Sequence, residues 1–293
     1  LLVFLSCCCS YLPPIVNFYF ILQNYIFFFF VFLFYQLFLW KNFLVIIYDS
    51  MKRLFLSFFL LLMCLSAFAT HNRGGEITYR HVSGYTYEIT VTTITFSEST
   101  ADRCELEIFW GDGKSDIISR VNGEYGLSPS GYYCMTGELL DNYNDVRVNK
   151  YVATHTYPGN GEFIISVEDP NRNYGVINIP NSVNVPFYIE SCLLIDNFLG
   201  ANNSPQTTMY PVDLACVGKL FVTNPGAYDV DGDSLSFELV KCKGLDGDDI
   251  PGYSLPDASD FLSLDSVSGN FIWNTPTIQG EFNFAYRIYE WRN

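Results

Sequence analysis

The chain has 293 residues, with 16 Lys+Arg against 31 Asp+Glu for a formal net charge of −15, and 17% of it is aromatic. Only Lys41, Lys52, Arg53 and Asp49 are charged within 1–70, so 71–293 carries 13 basic and 30 acidic residues, a net −17. So acidic a surface repels phosphate backbones and excludes nucleic-acid binding, and the aromatic and β-branched content downstream excludes a disordered chain.

Residues 1–50 are apolar and of low complexity, with Cys7-Cys8-Cys9 and a phenylalanine run at 27–30. At Met51 the pattern becomes that of a secretory signal: basic Lys52-Arg53, apolar 54–65, and the small-x-small site Ala67-Phe68-Ala69. Because such a signal acts near an N-terminus, 51–69 is read as the signal peptide and 1–50 as an over-extended reading frame. The competing reading is a transmembrane helix over 15–40, since about 20 apolar residues span a bilayer. Met63 before Cys64 is too large for a lipidation site, so cleavage after Ala69 is favoured. Export predicts a secreted or cell-surface protein that meets the membrane only in transit, in surroundings that permit disulfides. The mature part holds five cysteines, an odd number, and no His–Cys spacing of a zinc site.

Downstream of 70 the punctuation is that of strands. Tyr85, Tyr87, Ile89 and Val91 alternate with Thr86, Glu88, Thr90 and Thr92, the period of a half-buried strand. The apolar phase then shifts to Ile94 and Phe96, which predicts a bulge near Thr93. Leu106, Ile108 and Trp110 repeat the alternation before a turn at Gly111-Asp112-Gly113. Further strands are expected at 115–120, 146–153, 162–168, 174–179 and 185–190. After a linker or long lead-in strand at 196–213, others follow at 216–223, 234–241, 260–264, 269–273 and 281–290. No long amphipathic helix interrupts them. The expected fold is all-β: two immunoglobulin-like sandwich domains in tandem, 70–190 and 191–293, behind an apolar leader.

Two motifs carry chemistry. In Trp110-Gly111-Asp112-Gly113 the glycines permit positive φ and Asp112 can accept from its own backbone amides, so Asp112 is read as a turn former before a ligand, and His155 as a framework residue. In Asp229-Val230-Asp231-Gly232-Asp233, carboxylates at alternate positions can converge on one hard cation. The loop departs from an EF-hand, with Ser234 at the glycine position and Val240 at the closing glutamate. It is read either as a Ca²⁺ site of Asp229, Asp231 and Asp233 or as a solvated acidic turn. Asp246, Asp248 and Asp249 form a weaker second cluster.

The Trp110-Gly111-Asp112-Gly113 turn with Thr154-His155-Thr156-Tyr157 resembles the polycystic kidney disease (PKD) family of immunoglobulin-like domains, with a longer insertion at 121–145. The Asp229–Asp233 loop after Asn224-Pro225-Gly226, with Trp273-Asn274-Thr275-Pro276 and Gly280-Glu281-Phe282, resembles cadherin-like bacterial sandwich domains. Together with His71-Asn72-Arg73-Gly74-Gly75, Asn181-Ser182-Val183-Asn184-Val185-Pro186-Phe187 and Glu290-Trp291-Arg292, these segments resemble the gliding motility-associated C-terminal-domain surface proteins of Bacteroidetes. That resemblance implies tandem sandwiches followed by further domains and a sorting domain, so the chain is read as a fragment ending within a strand.

From the strand map, Cys216–Cys242 is the first expected disulfide and Cys104–Cys134 the second, leaving Cys192 over. No nucleophile elbow, zinc-protease or phosphate-loop motif occurs, so an enzyme is not expected. The function expected is an adhesin-like structural or binding protein, Ca²⁺ its cofactor, its partner a protein or glycan at the cell exterior. The alternative is a carbohydrate-binding module of a secreted polysaccharide-degrading system, using Trp273 or Trp291.

Overall fold

The computed structural model describes residues 29–36, 52, 53, 72–141, 143, 145–257 and 260–292. The chain divides into two units at residue 67. In the first, 29–36 are helical, and among the described residues no helix is long and apolar enough to cross a membrane. The expected signal at 51–69 and the spanning alternative at 15–40 lie outside the described residues, apart from 29–36, 52 and 53.

The second unit is all-β. Its strands begin with β1 (Asn72–Ser83), β2 (Thr86–Phe96), β3 (Glu105–Phe109), β4 (Ser115–Ser119), β5 (Tyr125–Leu127), β6 (Tyr133–Met135), β7 (Glu138–Leu139), β8 (Val146–Thr156), β9 (Gly161–Asp169) and β10 (Phe187–Ile195). Two four-stranded sheets, in the orders β1-β2-β8-β7 and β10-β9-β3-β4, form a sandwich. Ile89, Val91 and Tyr151 from one sheet meet Ile108, Ile165, Val167 and Leu193 from the other, with Trp110 fully buried among them. This is where the alternating apolar positions are spent, since burying each such side chain contributes roughly 1.5–3 kcal/mol.

The phase shift in β2 has a different cause from the one expected. β2 pairs with β8 without interruption from Thr86 to Phe96, and the register shifts fall in β1, at Asn72/Gly74 and His81/Ser83. Ile94 points to the opposite face from Val91. There it packs with Val146 and Val148 under Leu140, Tyr143, Tyr210 and Val212. The second half of β2 is therefore covered on both faces, so apolar residues occupy both phases. The stretch 174–179 is not a strand but a run of turns, apolar because Val176 and Ile179 fill a small core with Cys242 and Ile250. Strand β10 pairs with β9 along its whole length and reaches Ile195.

The segment 196–213 runs along the free edge of β1. The Ser204 amide donates to the Tyr79 carbonyl (3.0 Å), the Tyr79 amide to Ser204 Oγ (2.9 Å), and the His81 amide to Asn203 Oδ1 (2.9 Å). An open edge with unpaired amides is thereby covered. Five short strands follow: β11 (Phe221–Thr223), β12 (Ser234–Val240), β13 (Leu262–Leu264), β14 (Phe271–Trp273) and β15 (Ala285–Trp291). They form the sheets β11-β14-β13 and β12-β15. Between them Phe271 stacks on Phe284 at 4.1 Å and Trp273 meets Phe282 edge-on at 5.1 Å. Trp273 is thus a core residue, its Nε1 donating to the Asp257 carbonyl, whereas Trp291 is exposed.

Arg172, 2% exposed, ties these strands to the larger sandwich. Its Nη2 donates to the carbonyls of Pro186 and Lys243 (both 2.8 Å), its Nε to Val185 O (3.3 Å) and its Nη1 to Asn283 Oδ1 (3.3 Å). Its guanidinium also lies over the Phe187 ring.

Of the expected disulfides, Cys104–Cys134 is present, with a Cα–Cα distance of 5.8 Å. It closes a loop of 30 residues, a constraint worth ~3–4 kcal/mol in the chain-entropy account. Cys216–Cys242 is not formed, correcting the first expectation. Cys242 is buried against Val176, Ile179 and Ile250, while Cys216 is exposed in the turn before β11. The error came from treating 216–223 as one strand, when only 221–223 is.

Two outcomes follow. In native alkylation with peptide mapping, Cys216 labels first. Cys192 labels slowly, because desolvation and its hydrogen bond to Glu162 raise its pKa to about 11. Cys242 labels only on unfolding, and Cys104 and Cys134 only after reduction. Arg172→Met, which removes the buried donor to four part-buried acceptors, lowers unfolding free energy by about 2–3 kcal/mol in a urea titration.

Candidate metal centre

Loop 229–233 is shaped by its own first aspartate. Asp229 Oδ1 accepts from the amides of Asp231 (2.8 Å) and Asp233 (3.0 Å), and Gly232 supplies a φ of +87° that a side chain would strain. This turn separates the three carboxylates into two jobs. Asp231 faces the segment along β1, accepting from the Asn203 amide (2.8 Å) and from Asn203 Nδ2 (3.0 Å). Asp229 and Asp233 face the other way and meet Glu290 of β15. One oxygen from each of Asp229, Asp233 and Glu290 lies within 4.8 Å of the other two.

The pairing of β12 with β15 brings Glu290 there. Leu235, two residues past Asp233, lies opposite Glu290 in the register. Asn202, on the segment along β1, donates from Nδ2 to Glu290 Oε2 at 3.0 Å. Arg292 closes one side, with Nη2 on the Ala201 carbonyl and Nε 3.1 Å from Asp233 Oδ2. Asp233 Oδ2 is thus held by its ion pair with Arg292, whereas Asp229 Oδ2 and Glu290 Oε1 are buried oxygens to which no donor hydrogen is directed, and Asn202 Oδ1 is another. Such atoms are costly to leave unsatisfied, more so when charged.

The electrostatics fit that count. Burial raises the pKa of Glu290 to about 7; Asp229, by its charge and by a hydrogen bond that holds the Glu290 proton, and the Asp233 charge add to the rise, against the lowering effect of Asn202. Three carboxylate oxygens of this hardness suit a hard divalent cation completed by water. A thiolate- or imidazole-seeking metal finds no ligand among them.

The other expected sites have structural tasks. Trp110 Nε1 donates to Asp116 Oδ2 (2.7 Å), and its ring stacks on His155 at 4.6 Å. His155 Nε2 is 3.0 Å from Asp112 Oδ2, and the Lys114 amide donates to Asp112 Oδ1 at 3.1 Å. Although burial opposes it, these bonds and the Lys114 charge hold the Asp112 pKa below the usual carboxylate value. Gly111 has φ +82° and backs onto the Ile164 backbone, where a Cβ would come within 2.6 Å; Gly113 also has positive φ. Asp246, Asp248 and Asp249 do not converge. The Asp246 amide donates to Glu168, and Asp249 pairs with Lys241 in solvent.

Among the described residues only Asp229, Asp233 and Glu290 approach a three-carboxylate ligand set. Glu290 escaped the sequence reading because it lies 57 residues beyond Asp233. The available signal was its place in a strand ending Tyr-Glu-Trp-Arg, an acidic residue inside an otherwise aromatic run. No family model, curated protein or solved structure matches this chain.

Folded Glu290 keeps its proton to about pH 7, while an unperturbed carboxyl releases it near 4.5. The folded state therefore binds the extra proton between those values. In chelator-containing buffer this group's contribution to stability is full below pH 4.5 and is lost as pH rises to 7. Thermal melts from pH 4.5 to 8 in EDTA show that decline in the native protein, and Glu290→Gln flattens it.

Proposed function

We propose that residues 70–293 form an exported, non-enzymatic β-sandwich binding module of a bacterial surface protein, whose later strands are clamped by a divalent cation, Ca²⁺ by preference. The observation that carries this reading is the convergence of one oxygen each from Asp229, Asp233 and Glu290 within 4.8 Å of one another, with buried oxygens on Asp229 and Glu290 that lack donors. A cation there joins the 229–233 loop to β15 and, through Asn202, to the segment along β1. The clamp would resist forces that peel the small sheets from the large sandwich. The resemblance to PKD-like and cadherin-like domains of gliding-associated surface proteins points the same way, as does the acidic surface. The alternative of a carbohydrate module through tryptophans loses Trp273, which is buried, and retains only Trp291.

A cation that binds only the folded state stabilises it by about 2.7 kcal/mol at a concentration 100 times its Kd. For a unit of this size that is a rise in Tm of roughly 5–10 °C. Differential scanning calorimetry at pH 7.5 in EDTA, in millimolar Ca²⁺ and in millimolar Mg²⁺ reads it directly. Asp233→Asn combined with Glu290→Gln abolishes the rise, and coincident midpoints for the native protein remove the cation from the account.

A further inference from the structure

A second feature lies in the insertion at 121–145 of the larger sandwich. The two-stranded hairpin β5–β6 stands off the end of strands β3 and β4, tied there by the Cys104–Cys134 disulfide. Between hairpin and strands lies an open cleft of about 540 Å³, within the range of small-ligand sites. Its walls include Tyr125, Tyr132 and Tyr133, which are 72%, 71% and 70% exposed. The Tyr125 and Tyr133 rings stand 6.5 Å apart and are tilted by 33°. None of the three belongs to a core, and three large aromatics left in water around one concavity mark a contact surface.

The rest of the lining states what kind of ligand fits. Glu105 and Ser119 are cross-strand partners at the ends of β3 and β4, and Ser119 Oγ donates to Glu105 Oε1 at 3.1 Å. The second carboxylate oxygen of Glu105 remains free to accept. The cation of the lining, Arg120, is buried and neutralised by Asp102 at 2.8 Å. The cleft is therefore weakly negative: it repels sulfate, phosphate and uronate groups and offers acceptors to hydroxyl donors. Flat aromatic faces carry negative potential that attracts the polarised C–H bonds of a pyranose ring, and their phenol groups can bond its hydroxyls. The disulfide holds the hairpin in place beforehand, which lowers the ordering cost of binding.

We propose that this tyrosine cleft is a subsite for an uncharged glycan chain, one or more pyranose rings stacking on Tyr125 and Tyr133 with a hydroxyl donated to Glu105. The inference deepens the binding-module reading and rests on it, but it uses none of the carboxylates of the cation centre.

The test is affinity electrophoresis of the purified chain in native gels containing hydroxyethylcellulose, xylan, laminarin or galactomannan, with alginate as an acidic comparison. At least one neutral polysaccharide retards the native protein and alginate does not. Tyr125→Ala combined with Tyr133→Ala weakens that retardation at least ~10-fold, and Tyr132→Ala alone weakens it less. Tyr133→Phe, which keeps the ring, retains most of it. All four side-chain changes lie on exposed positions, and an unchanged Ca²⁺-dependent melt in each variant separates loss of the cleft from loss of the cation centre. Absence of retardation in every neutral gel, or equal retardation of native protein and double variant, overturns the proposal.

Discussion

Arg172 has no carboxylate partner among the described residues; its charge is shared among the carbonyls of Val185, Pro186 and Lys243 and the amide oxygen of Asn283. A guanidinium has to be fully hydrogen-bonded to be tolerated in such a place, and burial already lowers its pKa. Those acceptors come from the approach to β10, from the turn after β12 and from the approach to β15. Asn178 reinforces the last of these, donating to Asn283 O and accepting from the Asn283 amide. One buried cation thus sets where β15 starts relative to the large sandwich, and so where Glu290 arrives beside Asp229 and Asp233. The carboxylate cluster is a consequence of this arrangement as much as of its own residues.

The chemistry-bearing residues divide sharply between framework and surface. Trp110, Asp112 and His155 fasten β3 to β8 through a stacked ring, a hydrogen bond to a carboxylate and an amide cap. A His–Asp pair is often a catalytic element, but the indole stack and the buried Asp112 make it a fastening here. By contrast, Asp229 and Glu290 leave buried oxygens without donors, and Tyr125, Tyr132 and Tyr133 leave their rings exposed to water. Both of these places lie outside the sandwich core, on a loop–strand junction and on an inserted hairpin, where side chains need not fill a shared interior.

Much of the large sandwich was legible because alternation reports burial one residue at a time. Tyr87, Ile89 and Val91 read as inward residues, and they are. Legibility failed where burial had a second source. Ile94 looked like a bulge because the alternation cannot reveal that Tyr210 and Val212, more than a hundred residues later, cover the outer face. Val176 and Ile179 looked like a strand because a turn packed on a small core has the same composition as one. The cysteine pairing divided similarly: Cys104–Cys134, expected from the strand map, is formed, whereas Cys242 gave no sign that it packs as a small apolar residue.

What the amino acids alone established is local: strand periodicity, the glycine-bearing turns at 111–113 and 229–233, the acidic balance and the all-β class. Each depends on neighbours a few positions apart, where geometry is nearly invariant. The convergence of Glu290 on the aspartate loop, the diversion of Asp231 to Asn203 and the cleft between the hairpin and Glu105 depend on registers and crossings between distant segments. Those are settled only when the sheets pack, because the energy that selects them comes from surfaces that do not exist in the unfolded chain.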